Sequence, residues 1–445
     1  MQTNFSPDQL ADPHMRESEK ILRTCVHCGF CTATCPTYVL LGDELDSPRG
    51  RIYLIKDMLE NDKRATKEVV KHVDRCLSCL SCMTTCPSGV HYMHLVDHAR
   101  AHIEKTYVRS AADRFLRALL ASVLPYPKRF RLALVGARLA RPLRHVFARL
   151  PSIGPRMAAM LELAPSRLAP KQNREPAPAQ PAPAQPAPAH ATRRVVMLEG
   201  CAQPVLAPSI NAAAQRVLAR AGVEVIDAPG EGCCGALVHH MGREEQALDF
   251  ARRNVDAWIA RMERDGVEAI IITASGCGTT IKDYGFMLRE DAAYAQKAQR
   301  VSAAAKDITE YLCSLEAPVV ARDDKIVVAY HSACSMQHGQ QIRDEPKRLL
   351  RDAGFVVRDV PEGHICCGSA GVYNILQPEI AGKLRARKVA NIERMKPAII
   401  ATGNIGCITQ IGAGTATPIA HTVELIDWAQ GGPLPGALER SGFLR

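Results

Sequence analysis

The sequence lacks several features that define common classes of protein. No uncharged apolar run approaches the roughly 18 residues of a membrane-spanning helix, and the polar, acidic N-terminus has no apolar core of a secretory signal. No G-x-G-x-x-G follows a predicted strand, so the dinucleotide-binding motif is missing. We therefore expect a cytoplasmic chain without a membrane span and without a bound dinucleotide.

Cysteine, in contrast, is abundant, with 17 in 445 residues. Eight lie in two runs with the spacing C-x2-C-x2-C-x3-C-P, namely Cys25, Cys28, Cys31 and Cys35 before Pro36, and Cys76, Cys79, Cys82 and Cys86 before Pro87. Bacterial-type ferredoxins bind 4Fe–4S clusters with this spacing, and the fourth cysteine of each run ligates the other cluster. Carried over, the rule assigns one cluster to Cys25, Cys28, Cys31 and Cys86, and the other to Cys76, Cys79, Cys82 and Cys35. Two clusters linked in this way lie close together, which favours electron transfer.

Zinc and disulfides are the alternatives for these runs. A structural zinc site usually has two cysteine pairs separated by about a dozen or more residues, whereas here four cysteines fall within eleven residues, twice. Disulfides are disfavoured because the chain shows no secretory signal, and 17 cysteines in a reducing compartment point to metal. The runs therefore predict two 4Fe–4S clusters.

Helical patterns flank both runs. Residues 1–20 read as a polar lead-in helix, and Ser47-Pro48 starts a helix with Ile52, Ile55 and Leu59 on one face. Further helices are predicted from Lys67 to Asp74 and after His91. The predicted fold class is α+β and multidomain. An α-helical ferredoxin domain, rather than the compact β-rich kind, occupies residues 1–105, and a duplicated α/β cysteine-rich domain follows.

The net charge of +10 is concentrated in one connecting segment. Between Lys105 and Lys171 there are 14 Lys and Arg against two acids, and the pattern predicts short amphipathic helices broken at Pro125, Pro127, Pro142 and Pro151. Such helices fit an anionic membrane surface, an acidic partner subunit or a solvated helical hairpin. Nucleic acid is the least favoured partner, because no binding motif accompanies the charge. We predict this connector at 106–172 and, from alternating Pro and Ala, an extended linker at 173–193.

Beyond the linker the chain repeats itself. Each half has a lone cysteine, a Cys-Cys-Gly pair and a last cysteine: Cys201, Cys233, Cys234 and Cys277 in the first, and Cys334, Cys366, Cys367 and Cys407 in the second. The lone cysteine precedes the pair by 32 residues in both halves, and the pair's second cysteine precedes the last one by 43 and 40 residues. We infer an internal duplication, with repeats at 194–320 and 321–445.

Each of these repeat cysteines follows the carboxyl end of a predicted strand. Short β-branched runs alternating with helices predict a parallel sheet in each half, and parallel sheets bind ligands at that edge. Four thiols per half are thus predicted to converge on a cofactor site, with a glycine after each pair allowing the turn. The alternative is that these cysteines are small buried apolar residues.

The remaining cysteine and the histidines near the cysteine loops are not predicted to be ligands. Cys313 has no counterpart in the other half and is expected to be a plain thiol. The histidines near the cysteine loops are expected to form loop hydrogen bonds, and two of them, His331 and His364, could also support a ligand. The full set is His239, His240, His331, His338 and His364.

Together, the two runs and the duplicated Cys-Cys-Gly units resemble the iron–sulfur electron-transfer subunits of membrane-associated dehydrogenases. The likeness is greatest to the iron–sulfur subunits of bacterial glycolate oxidase, over about 19–110 and 194–430. The phrases that carry it are Cys25 to Tyr38, LLGDELDSPRGRIYLIK from Leu40 to Lys56, MLEGCAQP from Met197 to Pro204, and TASGCG from Thr273 to Gly278.

The resemblance implies a subunit of glycolate oxidase (glycolate dehydrogenase) that carries electrons. FAD-containing partner subunits would oxidise glycolate to glyoxylate, and two 4Fe–4S clusters here would pass the electrons to quinone or another respiratory acceptor. Peripheral contact with the inner face of the plasma membrane is also implied. We expect no catalytic residue in this chain, since no His–Arg pair can be placed around an α-hydroxy acid.

One departure bears on the repeats. In heterodisulfide reductase, which the resemblance also covers, each repeat ends in a C-x2-C pair, whereas here Thr280 and Gln410 stand at the second position. The remaining four thiols suffice for a 4Fe–4S cluster, or the repeats hold none. The alternatives are an iron–sulfur subunit of a lactate or glycerol-3-phosphate dehydrogenase, a repeat that itself reduces disulfides or quinone, and a zinc-dependent nucleic-acid binder.

Overall fold

The structure is a computed structural model that describes residues 1–149, 153–165, 167–170, 193–315 and 322–443. Apart from Arg193, the predicted linker at 173–193 lies outside the described residues, as does Pro151. The predicted domain boundaries stay predictions.

Helices build the N-terminal region, and no strand occurs among its described residues up to 170. Three of the helices begin with a proline behind a side-chain cap from Ser6, Asp12 or Ser47. The predicted lead-in helix is in fact two, because Asp12 ends the first and caps the second. The helices are α1 (Pro7–Ala11), α2 (Pro13–Thr24), α3 (Pro36–Leu41), α4 (Pro48–Glu60), α5 (Lys67–Asp74), α6 (Ser81–Thr85) and α7 (Tyr92–Thr106), with a 3-10 turn at Glu44–Asp46.

A compact apolar core joins these helices. Leu22, Ile55, Leu59, Val73 and Leu95 are fully buried in it. Cysteines of both runs border the same core, so the loops that carry them are anchored on the helices before and after. The predicted α-helical ferredoxin arrangement is confirmed.

The basic connector forms the predicted short helices. Leu116 and Leu120 pack against Val238 and Phe250 of the first repeat, and Arg117 pairs with Asp74 at 2.9 Å. The connector is therefore fixed to both neighbours at its start. Its helices are α8 (Ala111–Val123), α9 (Pro127–Ala140), α10 (Arg144–Ala148) and α11 (Gly154–Leu163), with a 3-10 turn at Arg141–Leu143.

Two parallel four-stranded sheets with the same topology follow, ordered β2-β1-β3-β4 and β6-β5-β7-β8. The equal strand orders agree with the inferred duplication. The strands are β1 (Arg193–Met197), β2 (Val223–Ile226), β3 (Ala269–Ile272), β4 (Ala305–Asp307), β5 (Val327–Tyr330), β6 (Val356–Asp359), β7 (Ile399–Thr402) and β8 (Ile419–His421).

Helices cover both sheets. In the first repeat they are α12 (Gln203–Leu206), α13 (Ser209–Arg220), α14 (Ala236–His239), α15 (Glu244–Asp265), α16 (Ser275–Lys282), α17 (Tyr284–Met287), α18 (Ala295–Ala304) and α19 (Ile308–Ser314). In the second they are α20 (Glu345–Asp352), α21 (Tyr373–Leu376), α22 (Pro378–Glu393), α23 (Ile405–Gly412), α24 (Thr422–Ala429) and α25 (Gly436–Ser441), with a π-helical turn at Ser335–Gly339.

The two repeats pack closely against each other. Val217 of α13 and Val423 and Ile426 of α24 share one buried core, and Arg216 hydrogen-bonds Asp427 across it. Near the cysteine loops the backbone N–H of Ser275 donates to the Gly403 carbonyl at 3.2 Å. The cysteine-bearing edges of the two sheets are thus held side by side.

Candidate metal centres

The cysteine runs line two adjoining cavities in the N-terminal region. One cavity is lined by three cysteines of the first run and the last cysteine of the second, namely Cys25, Cys28, Cys31 and Cys86. Tyr92 also lines this cavity. Three of the second run and the last of the first line the other: Cys35, Cys76, Cys79 and Cys82. The structure therefore brings together the same two sets of four that the ferredoxin spacing predicts, although their role as ligands stays a prediction. Cys82, Pro48 and Tyr92 border both cavities.

The two runs fold into matching loops. The second and fourth residues after the first cysteine have positive φ in both, at His27 and Gly29 in one run and Ser78 and Leu80 in the other. Left-handed backbone is costly for residues other than glycine, so the surrounding structure must hold Leu80 at its φ of 62°. These turns point successive cysteines of a run toward one centre.

The chemistry of the two cavities fits iron–sulfur clusters. Burial raises the pKa of the Cys31 thiol to about 11, and burial and then neighbouring cysteines raise the pKa of Cys82 well above its usual value. Several thiolates this close together are unfavourable without a compensating cation. Soft thiolate sulfur at this spacing is the donor set of a 4Fe–4S cluster.

The cavities differ in exposure and in the donors around them. Cys28 of the first cavity is exposed, whereas Cys35, Cys76 and Cys82 of the second are buried. In the second cavity Arg51 Nη1 donates to Cys35 Sγ at 3.8 Å, and the Tyr92 hydroxyl donates to Cys76 Sγ at 3.8 Å. Sequence reasoning missed Arg51, although a charged residue four positions before Ile55 on the apolar face of α4 was a signal.

Each repeat also brings its four cysteines together at the carboxyl edge of its sheet. In the first repeat Cys233 accepts hydrogen bonds from Cys201 and Cys234, which lower its pKa, and Cys234 contacts Cys277. In the second, Cys366 accepts from Cys334 and Cys367 in the same way, and the sulfurs of Cys367 and Cys407 are 3.5 Å apart. The predicted convergence of four thiols per half occurs, and their binding of a cofactor stays a prediction.

The glycine after each pair makes the turn that the sequence predicts. Gly235 and Gly368 have φ values of 84° and 89°. Their backbone N–H groups donate to Cys233 Sγ at 3.5 Å and to Cys366 Sγ at 3.4 Å. The glycine thus both turns the chain and supplies a donor to the first sulfur of the pair.

The prediction that His331 serves as a loop hydrogen-bonder is wrong. His331 is fully buried, and among the described residues neither ring nitrogen has a hydrogen-bond partner. One of its nitrogens lies within 4.8 Å of the sulfurs of Cys367 and Cys407. Burial keeps the pKa of His331 well below its usual value, so the ring is neutral and able to bind a metal.

Three of the other histidines contact the N-terminal region. His338 Nδ1 is 2.7 Å from the Thr84 hydroxyl, and His239 and His240 face Asp97 of α7. His364 is half-buried next to the second repeat's cysteine pair in sequence. Cys313 is half-buried with its sulfur 3.7 Å from the Glu345 carbonyl, as expected of a plain thiol.

Polar residues fill the positions at which each repeat departs from a C-x2-C ending. The Gln410 side chain accepts a hydrogen bond from Asn374 at 3.1 Å and donates to the Ala381 carbonyl at 3.2 Å. Thr280 is buried and donates to the carbonyl of Gly276. Both side chains form hydrogen bonds within their repeat and replace the cysteine of a C-x2-C ending. Each repeat therefore offers four cysteine sulfurs at the carboxyl edge of its sheet.

The second ferredoxin cavity touches the second repeat. Leu77 and Cys79 share an apolar cluster with Cys334 and Cys366, and the Tyr373 hydroxyl donates to the Arg75 carbonyl at 3.0 Å. Through Cys79, one sulfur of the ferredoxin cavity is therefore adjacent to the sulfurs of the repeat.

Comparison with known proteins supports both parts of the fold. A 4Fe–4S dicluster domain matches residues 24–90, and a cysteine-rich domain matches residues 195–282 and 328–412. A crystal structure of a hypothetical protein from Helicobacter pylori superimposes with a TM-score of 0.53 at 11% identity, covering 96% of this chain and 74% of that one, which shows the likeness of fold alone.

Three relatives define where the chain stands. It is 44% identical to the glycolate oxidase iron-sulfur subunit of Escherichia coli, over 96% of this chain and 99% of the relative. It is 29% identical to a probable glycolate oxidase iron-sulfur subunit of Bacillus subtilis, over 90% of both. Lactate utilization protein A of Bacillus licheniformis is 24% identical over 49% of this chain and 90% of its own length.

A dicluster ferredoxin domain followed by a duplicated cysteine-rich domain defines an iron–sulfur electron-transfer protein. Within that class, the chain belongs to the family of glycolate oxidase iron–sulfur subunits. The predicted fold class, iron–sulfur cofactors and role as a subunit of an oxidoreductase complex are confirmed. The lactate-type alternative is weaker because its match spans only half of the chain.

The structure also bears on the membrane. None of the helices in the described part of the chain combines the length and apolarity that a membrane crossing requires.

Proposed function

We propose that the chain relays electrons from FAD-containing partner subunits, which oxidise glycolate to glyoxylate, to quinone or another respiratory acceptor. A 4Fe–4S cluster in each cavity would supply one-electron redox chemistry. The proposed ligands are Cys25, Cys28, Cys31 and Cys86 for one cluster and Cys35, Cys76, Cys79 and Cys82 for the other. The observation that carries this proposal is that each cavity joins three cysteines of one run to the last cysteine of the other, with Cys82 bordering both cavities.

The exposed edge of the first cavity marks where electrons would enter. Cys28 is exposed there, Val26 and Phe30 flank it in sequence, and the ring of Tyr53 lies 6.5 Å from that of His27. Val26, Phe30 and Tyr53 are each more than half exposed. Large apolar side chains in one exposed patch are typical of a protein interface. We therefore assign this face to the FAD-containing partner, whose cofactor must come close to the first cluster.

Glycolate-driven reduction tests this assignment in the assembled complex. Glycolate added under anaerobic conditions should produce the EPR signal of reduced 4Fe–4S clusters. Phe30→Asp should slow that reduction by about tenfold or more, because a loss of about 1.4 kcal/mol in the free energy of docking is a tenfold loss of affinity. Dithionite, which needs no partner, should reduce the variant as fully as the wild type.

The matched control is Val108→Asp, since Val108 is 81% exposed and stands outside the patch. It should leave the glycolate-driven rate unchanged. A wild-type complex whose clusters stay oxidised with glycolate while its flavin is reduced would contradict the relay. Equal rates for the Phe30 and Val108 variants would contradict the assigned face.

The cysteine-rich repeats are proposed as further cofactor sites beyond the ferredoxin cavities. The candidate ligands are Cys201, Cys233, Cys234 and Cys277 in the first repeat, and Cys334, Cys366, Cys367 and Cys407 in the second. The neutral, unpartnered ring of His331 beside Cys367 and Cys407 supports a metal in the second repeat. The packing of Cys79 on the apolar cluster that holds Cys334 and Cys366 supports electron transfer from the ferredoxin cavity into this repeat.

We further propose that α9 and α10 rest on an anionic membrane surface, as the predicted peripheral location requires. Leu132, Leu139, Leu143 and Val146 are each at least half exposed, and from Lys128 to Arg149 the chain has no acidic residue. Exposed apolar side chains among basic ones suit the boundary between lipid head groups and acyl chains. We call residues 128–149 the basic apolar face.

Vesicle sedimentation of the complex tests the basic apolar face. Vesicles containing phosphatidylglycerol should bind the complex, and pure phosphatidylcholine vesicles should bind it far less. The double change Arg138→Gln with Arg144→Gln should weaken binding by roughly 30-fold, at about 1 kcal/mol per basic residue. Val108→Asp is again the control. Equal binding to both vesicle types would overturn the proposal.

A further inference from the structure

A buried ionic group lies against the second ferredoxin cavity. Arg51 and Asp46 are 1% and 0% exposed, and Arg51 Nη2 is 3.4 Å from Asp46 Oδ1. Asp46 is also held by Arg75 Nη1 at 2.7 Å and by His72 Nδ1 at 2.9 Å. Burying this many charged groups costs free energy. A gain in stability alone is therefore a poor explanation for the arrangement.

The guanidinium of Arg51 reaches the sulfur site directly. Its Nε donates to the His72 carbonyl at 2.6 Å and its Nη2 to the Thr37 hydroxyl at 3.0 Å, which fixes the plane of the group. The remaining nitrogen, Nη1, donates to Cys35 Sγ at 3.8 Å. An arginine keeps its charge under all ordinary conditions, so Cys35 faces a permanent cation.

The charged group at the first cavity, among the described residues, is Arg49, which lines the cavity and interacts electrostatically with Cys31. Unlike Arg51, its side chain is 33% exposed and its Nε pairs with Glu44 at 2.5 Å. Within the described ranges, no side chain donates a hydrogen bond to the sulfur of Cys25, Cys28, Cys31 or Cys86, and the donors to Cys31 are the backbone N–H groups of Arg49 and of Cys31 itself. Water near the exposed Cys28 can stabilise added negative charge at that site. The buried second site cannot rely on water and needs a positive charge of its own.

We propose that Arg51 sets the reduction potential of the cluster held by Cys35, Cys76, Cys79 and Cys82, and that Asp46 fixes its position and limits its effect. The inference rests on the proposed function, since it requires a cluster at that site. Reduction adds one negative charge to a cluster, and a cation and an N–H···S bond stabilise that charge and raise the potential. Electrons that enter at Cys28 are thereby drawn inward to the site beside the second repeat.

EPR-monitored redox titration of the anaerobically isolated complex tests the proposal. Arg51→Gln should lower the midpoint potential of one of the two ferredoxin clusters by at least about 59 mV. For one electron, that shift is a tenfold decrease in the equilibrium constant for reduction. Asp46→Asn should move the same midpoint in the opposite direction. The other cluster should shift less in both variants.

Two further variants separate tuning from folding. Arg51→Lys retains the charge without the planar donor group and should lower the midpoint less than Arg51→Gln does. Arg23→Gln, at an exposed arginine paired with Glu19, should change neither midpoint. A purely structural role would remove iron from the Arg51 and Asp46 variants alike and would not produce shifts of opposite sign.

The outcomes distinguish this inference from the function on which it rests. A wild-type complex without two EPR-active clusters in the ferredoxin region would overturn both. Two wild-type clusters whose midpoints do not respond to Arg51→Gln, or that move in the same direction in Arg51→Gln and Asp46→Asn, would overturn the inference alone. Loss of one cluster in both Arg51→Gln and Arg51→Lys would also overturn it, in favour of a structural role.

Discussion

Replacing Cys79 by serine is expected to remove one 4Fe–4S cluster, about four irons per chain, and to abolish electron transfer from glycolate to the acceptor. Cys79 lines the second cavity, packs on the apolar cluster that holds Cys334 and Cys366 of the second repeat, and interacts electrostatically with both. Serine oxygen is a harder donor than thiolate sulfur and is a poor substitute on an iron–sulfur cluster. Iron analysis and glycolate-dependent reduction of a quinone analogue by the complex measure the two effects.

Cys313→Ser is the matched control for this change. Cys313 is likewise a half-buried thiol, but its sulfur interacts with the Glu345 carbonyl and with Arg348 rather than with other cysteines. We expect its iron content and turnover to equal those of the wild type. A Cys79→Ser complex that retains all of its iron and its turnover would remove Cys79 from the set of ligands.

Replacing Gly368 by alanine is expected to unfold the second repeat at a markedly lower temperature. The φ of Gly368 is 89°, and a Cβ there would lie 2.7 Å from the backbone oxygen of Ala381 and 3.0 Å from its Cα. The left-handed backbone costs about 1–2 kcal/mol for an alanine, and overpacking against backbone adds roughly 1–3 kcal/mol. The change also moves the N–H that donates to Cys366 Sγ.

Gly371→Ala provides the comparison for thermal unfolding. Gly371 has a φ of 64°, but a Cβ there meets nothing within 4 Å, so only the left-handed cost of about 1–2 kcal/mol applies. The unfolding midpoint of Gly368→Ala should therefore fall further than that of Gly371→Ala. Equal midpoints would show that the close approach of α22 to the Cys-Cys-Gly turn does not constrain this glycine.

The features that the sequence predicts well are those set by short segments of chain. The spacing of each cysteine run determines its loop, and the β-branched runs Ala269–Ile272 and Ile399–Thr402 form strands as expected. The edge strands β4 and β8 were not predicted. Their three-residue sequences, Ala-Lys-Asp and Ile-Ala-His, carry little β-branched character, and they become strands only because a neighbouring strand offers open hydrogen-bonding groups.

The features that the sequence does not reveal depend on distant segments. Arg51 could be recognised as unusual on an apolar helix face, but its contact with Cys35 depends on how α4 packs on the first run. The position of His331 beside Cys367 and Cys407 joins three separate strand ends. The packing of Cys79 on the second repeat joins residues more than 250 positions apart. No local pattern encodes such neighbours.

Iron and acid-labile sulfide per chain, measured on the anaerobically isolated complex, test most directly whether the two cysteine runs hold clusters. We expect no fewer than about eight irons and eight sulfides per chain, and about twelve to sixteen irons if the repeats are occupied as well. A folded, full-length chain that contains no iron, or that contains zinc in its place, would contradict it.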